Sequence, residues 1–277
     1  MPLFLDRHEL TGTTAADLAA AHQQDLSVQE KHGVSFMTYW FDAGRGTAFC
    51  LVDAPDAATA VRVHEESHGA VPTSIIRVDL SAVQAFLGRI SDPEPQEGES
   101  QPIAESALRA VVFTDIVNST EMTGRLGDAR AMEMVRVHDR VVRQALADHG
   151  GREVKHTGDG IMAAFGEAGP ALKGCCDIMR ALEAFNRDSA EPLYVRIGVH
   201  AGEPVQDSND LFGSTVQMAA RICDDAAVES VVISDAVRAL IEDGFSLTTL
   251  GRRVLKGFHE PVPLFAVDWR SLDAPTS

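Results

Sequence analysis

One stretch of the sequence, SDPEPQEGESQPIAE at residues 91–105, is unsuited to a folded core. It contains three prolines and five acidic residues, and Ile103 is its only aliphatic side chain apart from alanine. Such a segment buries too little apolar surface to offset the entropy lost on ordering. Its prolines and like charges favour an extended chain. The sequence therefore predicts two domains, residues 1–90 and 106–277, joined by an acidic, proline-rich linker at 91–105.

The overall composition is typical of a globular protein with an acidic surface. Of the 277 residues, 45% are hydrophobic and 23% are charged, which allows packed cores. The formal net charge is −17. Because nucleic-acid affinity depends on Lys and Arg contacts to phosphates, this charge argues against a DNA or RNA partner. An anionic nucleotide ligand would need metal ions to bridge the two negative charges.

The sequence has no segment that predicts membrane insertion or export. No apolar run approaches the roughly 20 residues needed to span a bilayer. Residues 1–8 lack the basic and long apolar regions of a signal peptide. The four cysteines form no CxxC pair, which is typical of reduced thiols inside the cell. We therefore expect a cytoplasmic protein with no membrane partner.

Residues 1–90 have the pattern of a small ferredoxin-like α+β domain. The strand segments are rich in aromatic and β-branched residues, and polar caps and glycines bound the helices. Thr14 with Asp17 resembles a capping box at the start of the first helix. The predicted order βαββαβ has strands at 3–5, 34–41, 47–52 and 74–78, helices at 14–31 and 56–68, and a short final helix at 81–88.

Residues 106–277 also predict an α+β fold, on a repeated βαβ plan with additions. An Asp-Gly step in TGDG, between two apolar runs, is a strong hairpin signal. The predicted strands are 110–115, 152–156, 161–165, 194–200, 231–234, 247–254 and 264–267. The predicted helices are 119–149, 169–187, 212–225 and one that ends near 242. The fold class expected for the chain is α+β, with two ferredoxin-like (βαββαβ) domains, the second of them elaborated.

Two aspartates lie at strand ends that the fold should bring together. Asp115 ends an apolar strand, and Asp159 lies at the tip of the hairpin predicted beside it. Paired carboxylates of this kind hold two divalent cations that activate an attacking oxygen and neutralise a leaving phosphate. Magnesium needs only one or two carboxylates in addition to substrate phosphates. The alternative is that Asp159 is a turn residue and Asp115 a helix cap.

Four spaced motifs favour the metal site. FTDIVNST, EVKHTGDGIMAAF, DLFGSTVQMAARI and VLKG resemble, in order and spacing, the motifs of the class III adenylate and guanylate cyclase catalytic domain. The resemblance covers residues 106–270. It implies an enzyme that converts ATP into 3′,5′-cyclic AMP and pyrophosphate with two Mg²⁺ or Mn²⁺ ions. The ribose 3′-hydroxyl attacks the α-phosphate in such a reaction.

The resemblance also implies roles for residues near the metals. Asp115 and Asp159 match the two metal-binding aspartates, and the Ile116 carbonyl would be a further ligand. Backbone N–H groups of the loop and helix start that follow would bind phosphate oxygens. These groups belong to Asn118, Ser119 and Thr120.

A lysine and an aspartate match the residues that select the base. Lys155 would donate to N1 of adenine, and Asp210 would accept from its amino group. Guanine reverses both polarities and would leave buried polar groups unpaired, which discriminates by orders of magnitude. This pair predicts ATP rather than GTP as the substrate.

Two positively charged residues match groups that act on the phosphates. Arg221 matches the arginine that stabilises charge on the α-phosphate in the transition state, and Lys256 matches the lysine that binds the terminal phosphates.

Three positions depart from the family pattern. Asn118 replaces a glycine, but asparagine tolerates left-handed backbone angles. Gln217 replaces an asparagine that orients the ribose, so turnover should be affected. Glu203 stands where some members have a phosphate-binding arginine, a role that a negative charge cannot fill.

Members of the family form each active site across a head-to-tail dimer. One subunit supplies the metal aspartates, and the other supplies the base-reading pair, the arginine and the lysine. Because this chain contains both sets, the resemblance implies a homodimer with two complete sites. Two alternatives remain open: a cyclase that uses GTP or a pyrimidine nucleotide, and a signalling module that binds nucleotide or metal without turnover. Gln217 and Glu203 are the residues that favour the module.

The N-terminal domain resembles a different family. FLDRHEL, AAHQQDL, YWFDAGRGTAFCLVDAPD and VHEESHG resemble small dimeric ferredoxin-like proteins, at least one of which binds nickel. His64 and His68 are four residues apart on one helix face, a spacing that suits Zn, Ni or Cu, although an ordinary solvated helix face is the alternative. We expect His8, His22, His64 and His68 to form a second metal site, for Ni²⁺ or another transition metal. The domain would then help the cyclase to dimerise and regulate it.

Overall fold

The computed structural model describes the backbone of residues 1–93, 105–204, 206, 207 and 210–271, and the side chains of these residues outside 205–211. The chain divides into two compact units, Met1–Ala107 with Gln206–Gly213, and Leu108–Val205 with Ser214–Ser277. Among the described residues, no helix combines the length and the apolar character needed to cross a membrane.

The first unit contains a four-stranded antiparallel sheet. Its elements are β1 (Leu3–Glu9), α1 (Ala15–His32), β2 (Ser35–Asp42), β3 (Thr47–Asp53), α2 (Ala57–Ser67), β4 (Ser74–Val78) and α3 (Leu80–Leu87). The strand order β2-β3-β1-β4 is the one that a βαββαβ plait produces. The predicted ferredoxin-like fold of this part is therefore confirmed.

Local sequence signals set the helix boundaries in the first unit. Thr14 and Asp17 form the reciprocal capping box expected at the start of α1, which satisfies two backbone N–H groups. Gly33 ends the helix with φ 63°, a left-handed conformation that glycine adopts without strain. Asp56 caps α2 by accepting from the backbone N–H of Thr59. These caps hold α1 and α2 in register over the apolar face of the sheet, where Leu18 and other buried side chains form the core.

The second unit contains a seven-stranded mixed sheet. Its elements are β5 (Arg109–Ile116), α4 (Ser119–Leu126), α5 (Asp128–Asp148), β6 (Arg152–His156), β7 (Ile161–Phe165), α6 (Ala168–Asp188), β8 (Val195–Gly202), α7 (Gly213–Asp225), β11 (Val231–Ser234), α8 (Asp235–Arg238), β12 (Leu247–Arg253) and β13 (Val262–Val267). The short strands β9 (Gln206–Asp207) and β10 (Asp210–Leu211), which follow β8 along the chain, belong to the segment Gln206–Gly213 of the first unit. The sheet order is β12-β13-β11-β8-β5-β7-β6. Within it, β8-β5-β7-β6 repeats the order of the first sheet, which confirms the elaborated ferredoxin-like plan.

Besides shifts at strand ends, such as β1 continuing to Glu9 instead of ending at residue 5, the structure differs from the predicted elements at three places. The helix predicted over 119–149 is divided into α4 and α5 at Gly127, which has φ 77° and ψ 159° and therefore cannot continue a helix. The helix predicted to end near 242 ends at Arg238. A two-stranded ribbon, β9 and β10, precedes α7 and was not predicted because each strand has only two residues.

Candidate active site and candidate metal centre

The end of β5 and the β6–β7 hairpin bring the two predicted metal aspartates together. The backbone N–H of Ile116 donates to the carbonyl of Asp159 at 3.0 Å. The Ser119 hydroxyl donates to Asp159 Oδ2 at 2.6 Å, which fixes the rotamer of that carboxylate. Burial raises the pKa of Asp115 above its ordinary value; the nearby guanidinium of Arg196 opposes this shift, and the charge of Asp159 adds to it. The two partly buried carboxylates are therefore close enough for the charge of Asp159 to influence the pKa of Asp115.

Gly160 sets how closely the hairpin approaches β5. A Cβ at this position would lie 1.9 Å from the backbone oxygen of Thr114, a distance that no side chain can occupy. The Thr114 hydroxyl in turn accepts from the backbone N–H of Ile161 at 3.0 Å. Glycine at 160 is therefore required for the hairpin tip to lie against the end of β5.

The donor set at this strand end suits a hard divalent cation. Asp115, Asp159 and the carbonyl of Ile116 offer only oxygen atoms, which Mg²⁺ and Mn²⁺ prefer. Asn118 adopts φ 56° and ψ 37°, so it takes the left-handed conformation that the loop needs without glycine. Ser119 and Thr120 begin α4, where their backbone N–H groups lie in the first turn of the helix.

The other predicted active-site residues lie elsewhere in the second unit. Lys155 is exposed on β6, Gln217 is exposed on α7, and Lys256 is exposed in a turn beside Gly257, which has φ 88°. Arg221 on α7 pairs with Asp224, with Nη1 2.8 Å from Oδ2. Among the described residues, neither Lys155, Arg221 nor Lys256 is hydrogen-bonded or ion-paired with Asp115 or Asp159.

Two further positions complete the predicted set. Glu203 follows β8 and is partly buried. Asp210 opens β10, and its side chain lies outside the described residues. A single chain therefore brings together the metal-binding half of the predicted site and not the base-reading half.

In the first unit, a buried histidine lies between two carboxylates. His64 Nε2 is 2.9 Å from Asp6 Oδ2, and His64 Nδ1 is 3.1 Å from Asp25 Oδ2. Burial favours the neutral imidazole, yet hydrogen bonds to Asp25 and Asp6 raise the pKa of His64 to about 9. Burial likewise opposes ionisation of Asp25, but its bonds to His64 and His68 lower its pKa to about 2.

Two overlapping groups of side chains in this unit could hold a metal ion. The first is Asp6, His8, Cys50 and His64, and the second is Asp25, His64 and His68. In each group the ligand atoms lie within 4.8 Å of one another. His8 Nε2 is buried and has no hydrogen-bond partner among the described residues, although Asp6 Oδ1 is 3.2 Å away. An imidazole, thiol and carboxylate set around such a nitrogen fits a transition metal such as Ni²⁺ or Zn²⁺.

The structure separates one predicted ligand from these groups and adds three others. His22 Nε2 is 3.1 Å from Asp92 Oδ2, and His22 belongs to neither group. It lines a cavity of about 220 Å³ that His8 and His64 also line. Asp6, Asp25 and Cys50 were not predicted. Asp6 alternates with His8 on β1, so the two share a face, and Cys50 is the cross-strand partner of Asp6 on β3. The predicted strand ended at residue 5, so neither the shared face of Asp6 and His8 nor the cross-strand partner was predicted.

Family comparisons agree with the fold. The model of the adenylate and guanylate cyclase catalytic domain matches residues 104–267, which is more than half of the chain. The chain therefore belongs to the adenylate and guanylate cyclase catalytic domain family. The model of the nickel responsive protein SCO4226-like family matches residues 4–78, in the first unit.

Individual relatives are cyclases of very different length. The chain is 27% identical over 218 residues to an adenylate cyclase of Neurospora crassa, which covers 57% of this chain and 9% of that protein. It is 29% identical over 141 residues to an adenylate cyclase of Streptomyces coelicolor, covering 51% and 36%. The chain thus spans about a third or less of the length of these relatives.

Solved structures share the fold. The adenylyl cyclase CyaB from P. aeruginosa aligns with a TM-score of 0.52 at 20% identity, over 61% of this chain and 95% of that chain. The catalytic core of a rhodopsin-guanylyl cyclase with converted specificity, in complex with ATPalphaS, aligns with a TM-score of 0.52 at 24% identity, over 58% and 95%.

Proposed function

We propose that this protein is an adenylate cyclase that converts ATP into 3′,5′-cyclic AMP and pyrophosphate in the cytoplasm. The observation that carries the proposal is the convergence of Asp115 and Asp159, fixed by Ser119 and Ile116, in a chain of the cyclase family. Relatives named adenylate cyclase support the choice of ATP.

Each residue of the strand-end site has a defined task in this proposal. Two Mg²⁺ or Mn²⁺ ions held there would lower the pKa of the ribose 3′-hydroxyl and neutralise the triphosphate. Asp115, Asp159 and the Ile116 carbonyl bind the ions, and Ser119 keeps Asp159 in its binding rotamer.

The substrate is selected by residues outside this metal-binding half. Lys155 donates to N1 of adenine and Asp210 accepts from its amino group, a polarity that guanine reverses. Arg221 stabilises the charge that develops on the α-phosphate, Gln217 orients the ribose, and Lys256 binds the terminal phosphates.

We propose a homodimer as the active species. Within one chain, Lys155, Arg221 and Lys256 have no bond to the metal aspartates among the described residues, which agrees with a site completed by a second copy. Each of the two sites would then take its metal-binding half from one subunit and its base-reading half from the other.

The activity is tested by product formation from ATP and from GTP, each with Mg²⁺ and with Mn²⁺, on the full-length protein. Cyclic AMP from ATP, lost in Asp115→Ala, is the expected result. Cyclic GMP as the main product would assign the other base preference. Nucleotide binding without any product would show a signalling module that does not turn over.

The shared site is tested by a mixed dimer. Asp115→Ala removes the metal-binding half of one subunit, and Lys155→Ala removes the base-reading half of the other. Each homodimer should be inactive, whereas the mixture should regain one working site in each mixed dimer. Absence of rescue, with dimer formation shown by light scattering, would exclude the shared site.

For the first unit, we propose a regulatory domain that binds a transition metal. The buried group Asp6, His8, Cys50 and His64, whose ligand atoms lie within 4.8 Å of one another, supports this role. The description of the matching family, nickel responsive protein, makes Ni²⁺ the first ion to try.

A further inference from the structure

The metal aspartate of β5 has a cationic partner on the neighbouring strand. Asp115 and Arg196 are opposite each other in the antiparallel pairing of β5 with β8, so their side chains share one face of the sheet. Arg196 Nε and Nη2 lie 2.7 Å and 2.6 Å from Asp115 Oδ2. Both nitrogens contact the same oxygen, which leaves Oδ1 of the carboxylate for another ligand.

The same guanidinium also contacts the end of α7. Arg196 Nη1 donates to the backbone carbonyl of Asp224 at 2.7 Å. The side chain of Asp224 accepts from Arg221 Nη1 at 2.8 Å. A continuous polar path therefore runs from Asp115 through Arg196 and Asp224 to Arg221 within one chain.

We infer that Arg196 is a positioning residue that serves both active sites of the dimer. The inference rests on the proposed function, in which Asp115 and Arg221 of one chain belong to different sites. Towards one site, Arg196 holds Asp115 Oδ2 so that Oδ1 is directed at the cation. Towards the other site, it anchors the end of α7, the helix that carries Arg221.

The chemistry of this position requires arginine. The planar guanidinium presents donors in two directions, so it contacts Asp115 and the Asp224 carbonyl together. Lysine keeps the charge but has a single compact head group, and it cannot reproduce both contacts. Arg196→Lys therefore changes the orientation of Asp115 and of the end of α7 while the charge at position 196 stays nearly the same. Partners that orient metal ligands typically change metal affinity or activity by about 10- to 100-fold when they are replaced.

The mixed dimer separates the two roles. The subunit with Lys155→Ala supplies the metal-binding half of the working site, and the subunit with Asp115→Ala supplies Arg221. Arg196→Lys in the first subunit should raise the Mn²⁺ concentration for half-maximal rate about tenfold. In the second subunit it should lower kcat by a similar factor and leave the Mn²⁺ dependence unchanged.

Arg180→Lys is the matched control, because Arg180 is also partly buried and paired with an aspartate, Asp177, at 2.9 Å. Arg180→Lys should change neither the Mn²⁺ concentration for half-maximal rate nor kcat. If Arg196→Lys behaves like this control in both subunits, or changes the same parameter in both, the inference is wrong. Thermal unfolding of Arg196→Lys and Arg196→Gln shows whether each variant still folds. A loss of activity in a variant that folds normally is then caused by misorientation of Asp115 or α7 and not by misfolding.

Failure of the inference can be told from failure of the proposed function. If the mixed dimer with Arg196 intact makes no product, the shared site is wrong. Mn²⁺ titration of the Arg196→Lys homodimer, followed by electron paramagnetic resonance without substrate, then still tests the positioning of Asp115. Unchanged Mn²⁺ affinity in that titration would exclude this role of Arg196.

Discussion

At the residue scale, His200 on β8 carries a pH-dependent share of the stability. Its Nδ1 is 2.8 Å from Ser234 Oγ, and burial lowers its pKa to about 4. In the unfolded chain, the imidazole of His200 binds a proton near pH 6.5, whereas in the folded chain it stays neutral until about pH 4. The stability contributed by neutral His200 is therefore complete above pH 6.5 and is lost as the pH falls towards 4.

His200→Gln should remove this dependence, because glutamine does not titrate. Between pH 7 and pH 5, the wild-type free energy of unfolding should fall by about 2 kcal/mol more than that of the variant. Urea unfolding of the second unit at the two pH values, measured for the wild type and the variant, gives the difference in free energy. Parallel losses in the two proteins would show that His200 is not the responsible group.

Base selection also belongs to the residue scale. Lys155→Glu replaces the proposed donor to adenine N1 with an acceptor and should lower kcat/KM for ATP about 100-fold or more. The preference for ATP over GTP should narrow, because the new carboxylate can accept from guanine N1. Lys173→Glu, an equal charge change at an exposed position on α6, is the control. Equal losses with both nucleotides would argue against base reading by Lys155.

At the element scale, the β6–β7 hairpin depends on one glycine. Gly160→Ala forces its Cβ against the Thr114 backbone oxygen, so the hairpin tip must move away from β5. A displacement of about 1 Å at a catalytic group costs roughly 100-fold in rate, and we expect a loss of this size. Gly166→Ala is the control, since a methyl group at that position would meet no other atom within 4 Å. Retained activity in Gly160→Ala would show that the approach is not required.

The elements show what sequence patterns can and cannot predict. Ser74–Val78, Ile161–Phe165 and Val231–Ser234 were predicted to the residue, because each is a short apolar run between turn signals. The break at Gly127 was missed because helical periodicity continues on both sides of it. Asp115 and Asp159 could be brought together from a strand end and a hairpin alone. Arg196 could not, since its role follows from the register between β5 and β8.

At the scale of the whole molecule, Ni²⁺ should bind to and stabilise the first unit of the protein. His64 is held between Asp6 and Asp25, so the folded unit contains a preformed group of ligand atoms that includes His8 and Cys50. A ligand that binds only the folded form stabilises it by about 2.7 kcal/mol at 100 times its Kd. Ni²⁺ should therefore raise the Tm of the first unit in the full-length protein.

His8→Ala and Cys50→Ser should each abolish the Ni²⁺-dependent rise in Tm, because each removes a ligand atom from the group. His32→Ala should keep it, since His32 is paired with Glu66 outside the group. If wild type and His32→Ala also change their cyclic AMP production with Ni²⁺, and the two ligand variants do not, the first unit regulates the second. A thermal shift without any change in rate would assign the metal a purely structural role.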